Sequence, residues 1–139
     1  MTDVEYIKNV FRNGFELKDI EWTSWTEPGR VGVEHHVLWA PNPEKDEDSV
    51  GLILRFPPGA HGDYHEHGGY ELMLVLDGVL DHSDGQSYEK GDLVVEAPGT
   101  QHQMSSASGC TVLAIRTAPA EAREAPAGIR PVGATAASN

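Results

Sequence analysis

A chain of 139 residues with one cysteine and a formal net charge of −12 has room for a single domain with its own core, and it cannot form an internal disulfide. Its 22 Asp plus Glu against 10 Lys plus Arg exclude a phosphate-neutralising surface, so neither nucleic acid nor an anionic membrane is an expected partner. The first residues have no basic start followed by an apolar run, and no stretch approaches the ~20 apolar residues of a membrane span; a cytoplasmic, reducing setting is expected.

In chain order, Val4, Ile7, Val10 and Phe11 recur at spacings that predict a short helical face over Asp3 to Arg12, ended by Asn13-Gly14. Residues 1–14 are thus read as a helical or extended arm. From Phe15 the pattern changes to short β-prone runs cut by turn residues, and residues 15–117 are read as one β domain. The runs are Phe15 to Trp25, Val31 to Trp39, Val50 to Phe56, Tyr70 to Leu76, Leu93 to Glu96, His102 to Ser106 and Thr111 to Thr117. A further element begins at His65 to His67. Asn42 to Ser49 reads as a solvated acidic loop, Pro57-Pro58-Gly59 stops a strand, and Asp77-Gly78 and Asp81 to Gly85 read as turns. So many short strands with almost no helix predict a sandwich or barrel. Residues 118–139, rich in Ala, Pro and Gly, are expected to form a flexible tail or to drape over a neighbour, with a short helix near Ala120 to Ala125 as the alternative.

The chemistry concentrates in two stretches. His65 and His67 stand at i and i+2, so on a strand both imidazoles leave the same face. Gly68-Gly69 lets the chain bend, after which Glu71 can return its carboxylate to the same point. His102 follows Gly91 and Pro98-Gly99, placed to fold back over that pair. Three neutral imidazoles and one carboxylate suit zinc, iron, manganese, nickel or copper, at about 2.0–2.2 Å for zinc, with a coordination position left open.

These residues resemble the two cupin motifs. GAHGDYHEHGGYELMLVLDG, Gly59 to Gly78, matches the first, and GDLVVEAPGTQH, Gly91 to His102, matches the second with Ala97 where the general pattern has proline. The asparagine that often follows the second motif's histidine is replaced by Ser106. The resemblance implies an all-β fold, a double-stranded β-helix or jelly roll of the RmlC-like cupin barrel type, commonly a homodimer. It also implies His65, His67, Glu71 and His102 as ligands of one divalent ion (Fe, Zn, Mn or Ni). LRFPPGA, APGTQHQMSS and GCTVLAI narrow it to ChrR-like cupins, over about Val31 to Arg116. That group contains the zinc-binding module of an anti-sigma factor and ring- or side-chain-cleaving dioxygenases. Two departures stand out: Tyr70 replaces a second acidic residue beside the ligand glutamate, and the helical, Cys/His-bearing N-terminal domain expected of an anti-sigma factor is missing from this sequence.

Other residues are weighed by parity. Asp63 and His61 are candidates for proton transfer beside the metal, and Arg55, mid-strand in LILRF, either pairs with a carboxylate or receives an anionic oxygen of a substrate. Met73, Val75 and Met104 are expected to line an apolar pocket. Leu72, Leu74 and Leu76 face the other way, which calls for a second sheet or a dimer partner to cover them. His35 and His36 are read as structural and His82 as solvent-exposed. Cys110 is read as a small hydrophobe, and Trp22, Trp25 and Trp39 as core or interface residues. Together these readings predict a metal-dependent oxidoreductase, a dioxygenase cleaving a small carbonyl or phenolic substrate. The alternatives are a non-catalytic zinc-binding or ligand-sensing module and a metal-assisted isomerase or lyase.

Overall fold

The computed structural model describes residues 4–11, 20–25 and 30–129. Twelve strands follow in order: β1 Thr23–Ser24, β2 Glu34–Trp39, β3 Val50–Phe56, β4 Ala60–His61, β5 His65–His67, β6 Glu71–His82, β7 Ser87–Glu89, β8 Leu93–Glu96, β9 Gln101–His102, β10 Met104–Ser106, β11 Cys110–Arg116 and β12 Ala120–Ala122. Among the described residues one 3₁₀ turn, Pro43–Lys45, interrupts the acidic loop, where Asn42 caps it by accepting from the Glu44 amide. No helix among the described residues is long and apolar enough to cross a membrane.

Nine strands form one sheet with the path β1-β2-β3-β11-β6-β10-β4, and β7 and β8 both pair with β6. The remaining three form a small sheet in the order β12-β5-β9. Every named pairing is antiparallel, and β6 curls: Glu71 to Leu74 pair with β8, and Val79 to Asp81 with β7. The result is the double-stranded β-helix expected of this sequence.

Period-two alternation builds the core. Leu52, Leu54 and Phe56 of β3, Met73 and Val75 of β6, and Val112 and Ala114 of β11 all turn inward into one cluster, joined by Val33, Leu80, Val94 and Met104. Each fully buried aliphatic of this kind contributes about 1.5–3 kcal/mol relative to exposure. On the other face, Ile53 and Leu76 pack with Leu74, Leu113, Leu38 and Trp22, and with Ile7 and Val10 of the N-terminal segment. That face is covered in part by the chain's own first residues, rather than by a second sheet.

Local signals were overridden in several places. Residues 4–11 form no helix, only a turn at Val10–Phe11; Ile7 and Val10 dock on the outer sheet face, while Val4 and Phe11 of the expected helical face stay exposed. Asp77-Gly78 is not a turn. Strand β6 runs through it, and between Thr111 and Val112 the pairing with β11 slips by one residue, the mark of a β-bulge. Gly78 holds φ +78°, and a Cβ there would stand 2.1 Å from the Gly109 carbonyl oxygen, so the bulge demands glycine. The run His102 to Ser106 breaks at Gln103, where the chain passes from the small sheet to the large one. The stretch expected as a tail begins as strand β12, whose Ala120 and Ala122 pair with His67 and His65, and no helix forms near Ala120 to Ala125. Residues 15–19 of the Phe15 to Trp25 run and the last ten residues of the tail lie outside the described residues.

Candidate metal centre

Strand β5 alternates as its sequence requires: His65 and His67 are buried and Glu66 lies between them on the outer side. Strand β9 pairs with β5 so that His102 stands directly opposite His65. Glu71, the first residue of β6, completes the group and is 2% exposed. The four donor atoms lie within 4.8 Å of one another. His102 Nε2 is 3.0 Å from the Nε2 atoms of both His65 and His67, and Glu71 Oε1 is 3.3 Å from His67 Nε2 and 3.4 Å from His102 Nε2. The three rings are mutually near-perpendicular, at 86° to 89°. Three imidazole nitrogens converging on one buried point cannot all find complementary partners in one another, whereas a cation between them satisfies every lone pair together with the carboxylate. The donor set therefore fits a divalent metal.

Neighbouring groups aim these donors. The Asp63 carbonyl lies 2.9 Å from His65 Nδ1, where it accepts a proton on that nitrogen and leaves the Nε2 lone pair turned inward. The Glu96 carboxylate stands 2.5 Å from His102 Nδ1 and does the same for that ring. Glu71 Oε2 accepts from Arg116 Nε at 2.6 Å, which leaves Oε1 toward the imidazoles. Burial, reinforced by the neighbouring imidazoles and only partly offset by Glu71, pushes the His67 pKa down to about 4, so the ring is neutral and able to ligate at neutral pH. Burial works against ionisation of Glu96, but its contacts with His102 and His82 outweigh that and hold its carboxyl well below the usual range. Burial likewise opposes the charged form of His82, yet Glu96 and Asp84 raise its pKa above the ordinary value.

The chamber beside these donors has a cavity of about 30 Å³, room for roughly one water, walled by Leu54, Phe56, Met73, Leu80, Met104 and Val112. Trp25, Arg30, Asp63, His65 and Arg116 line both this chamber and an open groove of about 630 Å³, so the groove is the route by which the chamber meets solvent.

Asp63 stands where parity placed it, its Oδ1 3.6 Å from His65 Nδ1 and 3.5 Å from Arg30. Burial would raise its pKa, but His65 and Arg30 together lower it. His61 sits on β4 opposite Ser105, with its Nδ1 3.0 Å from the Gly62 carbonyl, and it lines neither chamber nor groove. Arg55 has the opposite parity to Leu54 and Phe56 and points away from the chamber; it forms a two-pronged pair with Glu34, at 3.0 and 2.8 Å, and lies over Trp22. Met73 and Met104 line the chamber, while Val75 is buried in the core behind it. His82 is not exposed, as its turn setting suggested; it is 8% exposed and bonds Glu96 at 3.1 Å. Sequence reasoning missed Glu96, Arg116, Arg30 and the position of Trp25. Inward parity was an available signal for two of these: Glu96 follows buried Val94 by two residues, and Arg116 follows Ala114 and Val112.

A closed β fold with three histidines and a glutamate converging inside it defines the cupin class. The family profile for the ChrR cupin-like domain matches residues 12–120, and the chain belongs to that family. Among solved structures, a cupin-like protein from Thermotoga maritima is similar with 21% identity and a TM-score of 0.66, over 76% of this chain and 88% of that one. An acetylacetone dioxygenase from Acinetobacter johnsonii is 17% identical with a TM-score of 0.69, over 89% and 80%. The anti-sigma ChrR in complex with SigE from Rhodobacter sphaeroides is 25% identical with a TM-score of 0.57, over 72% of this chain and 50% of that one. No match was found among curated protein sequences.

Proposed function

We propose that this chain is a metal-dependent cupin enzyme, a dioxygenase that cleaves a small carbonyl or phenolic compound. The observation that carries the proposal is a buried three-histidine, one-glutamate group that opens through a groove large enough for a small organic molecule. A divalent ion held there, iron in this reading, supplies Lewis acidity and redox capacity. The chain's own contributions are distinct. His65, His67, Glu71 and His102 hold the ion, Met73, Met104, Leu80 and Phe56 keep water from the reacting centre, and Asp63, placed between His65 and the groove, accepts a proton from an entering substrate. The similarity to an acetylacetone dioxygenase supports the reaction class by fold analogy. In this reading the protein works in the cytoplasm, as a homodimer.

A second reading is favoured by the family profile and by the likeness to ChrR: a zinc-holding or ligand-sensing module read out by a partner protein. Elemental analysis of freshly purified protein, together with oxygen uptake on panels of diketones, hydroxyketones and 2-oxo acids, separates the two. Iron with substrate-dependent uptake supports the enzyme; tightly held zinc with no uptake on any panel member overturns it in favour of the module. His65→Ala should lose the ion and turnover together, and turnover surviving that substitution would rule out this centre as the catalyst.

A further inference from the structure

We infer that the groove leading to the metal centre is a carboxylate site: the compound it admits is a small organic anion, such as a 2-oxo or 2-hydroxy acid, whose carboxylate is received by Arg30 and Arg116. The inference rests on the metal centre proposed above and names the class of its substrate. Two guanidiniums converge at the neck between groove and chamber, and both are largely withdrawn from solvent, with side chains 10% and 13% exposed. Both are gathered on one indole: Arg30 Cζ lies 3.8 Å from the Trp25 ring centroid and Arg116 Cζ 5.9 Å. Each also touches a carboxylate of the site. Arg30 is 3.5 Å from Asp63, a long contact, and Arg116 uses Nε on Glu71. A guanidinium presents five N–H donors in a planar fork, so Arg116 keeps its terminal nitrogens for another acceptor while Nε holds Glu71.

Charge points the same way. With a divalent ion in place, the positive charge of the ion, Arg30 and Arg116 exceeds the negative charge of Glu71, Glu96 and Asp63. Among the described residues the neck then carries one more positive charge than negative in a chain of formal net charge −12, and Asp48 lines the groove but not the chamber. A positive excess in a poorly hydrated neck is relieved by an anion and by no neutral molecule of the same shape. Apart from His35, the rest of the groove wall, with Val37, Val50, Leu52, Pro119 and Ala120, is apolar and suits a carbon skeleton.

The test uses full-length protein loaded with zinc, which supports binding without oxygen chemistry, and titrates it calorimetrically with pyruvate against pyruvamide and acetate against acetamide. Each carboxylate should bind about tenfold or more tightly than its amide, by the usual advantage of a charge-assisted hydrogen bond. Arg30→Gln should erase most of that difference while circular dichroism and zinc content stay unchanged. Equal binding of acid and amide to zinc-loaded protein overturns the carboxylate site and leaves the metal centre standing. Protein that retains no zinc overturns both. Should Arg30→Gln fail to fold, Arg30→Lys takes its place; because zinc alone also prefers a carboxylate, an acid-to-amide ratio left unchanged by the folded variant overturns the assignment to Arg30.

Discussion

Glu96 is the residue on which the orientation of His102 depends. Its carboxylate meets His102 Nδ1 on one side and His82 Nε2 on the other, and so fixes which imidazole nitrogen carries the proton. Glu96→Gln replaces an anionic acceptor by a neutral amide and lets the His102 ring relax. Metal affinity should then fall about 10–100-fold, as when the partner of a ligating histidine is lost, with the fold retained. A chelator competition titration measures this, and an unchanged affinity would remove Glu96 from the account. Cys110 makes the opposite case, that of a reactive atom with no role. It is fully buried, and burial pushes its pKa up to about 12 despite a hydrogen bond from the direction of Ser106. Because a raised pKa keeps the sulfur as thiol, the reactive thiolate stays scarce at every pH below about 10. Native protein should therefore resist alkylation at pH 8, and unfolding in urea should expose one fast-reacting thiol. Fast labelling of the folded chain would mean that β11 opens.

Among the elements, β6 carries most of the architecture, since β7, β8, β10 and β11 all pair with it. Its passage through Gly78 is the point of greatest constraint. Gly78→Ala would drive a methyl group into the Gly109 carbonyl at a backbone angle that L-residues avoid, and it should cost about 3 kcal/mol or more, read as a lower urea midpoint at constant slope. The same position shows where sequence legibility ends. Val50–Phe56 and Leu93–Glu96 were readable to the residue, because apolar alternation bounded by Pro or Gly is local information. Asp77-Gly78 has the local signature of a turn, but a long ladder with β11 absorbs it as a bulge. Likewise the four candidate ligands were legible from parity and glycine spacing. Arg116 and Glu96 had inward parity as their one local signal; that each meets the site by standing opposite Glu71 in a neighbouring strand is a matter of register between distant strands, which is not written locally. Strand β12 escaped for the same reason, its composition being that of a tail while its pairing with β5 is set by the tertiary fold.

At the scale of the molecule, the metal centre joins two sheets. His65, His67 and His102 belong to the small sheet of β5 and β9, whereas Glu71 opens β6 in the large one. The small sheet consists of two- and three-residue strands that bury little apolar surface of their own, so it is the part of the fold least able to stand unsupported. A bound ion ties it to β6 and stabilises the native state alone. At a free metal concentration a hundredfold above Kd this linkage is worth about 2.7 kcal/mol, which for a chain of this length raises Tm by about 10 °C. Removing the ion with a chelator should reverse that rise, and re-addition should restore it. Hydrogen exchange adds the spatial test: amides of β5, β9 and β12 should lose protection first when metal is withdrawn, while β3, β6 and β11 keep theirs, held by the apolar core. Uniform loss across both sheets would mean that the ion supports the whole barrel rather than the clasp between its parts.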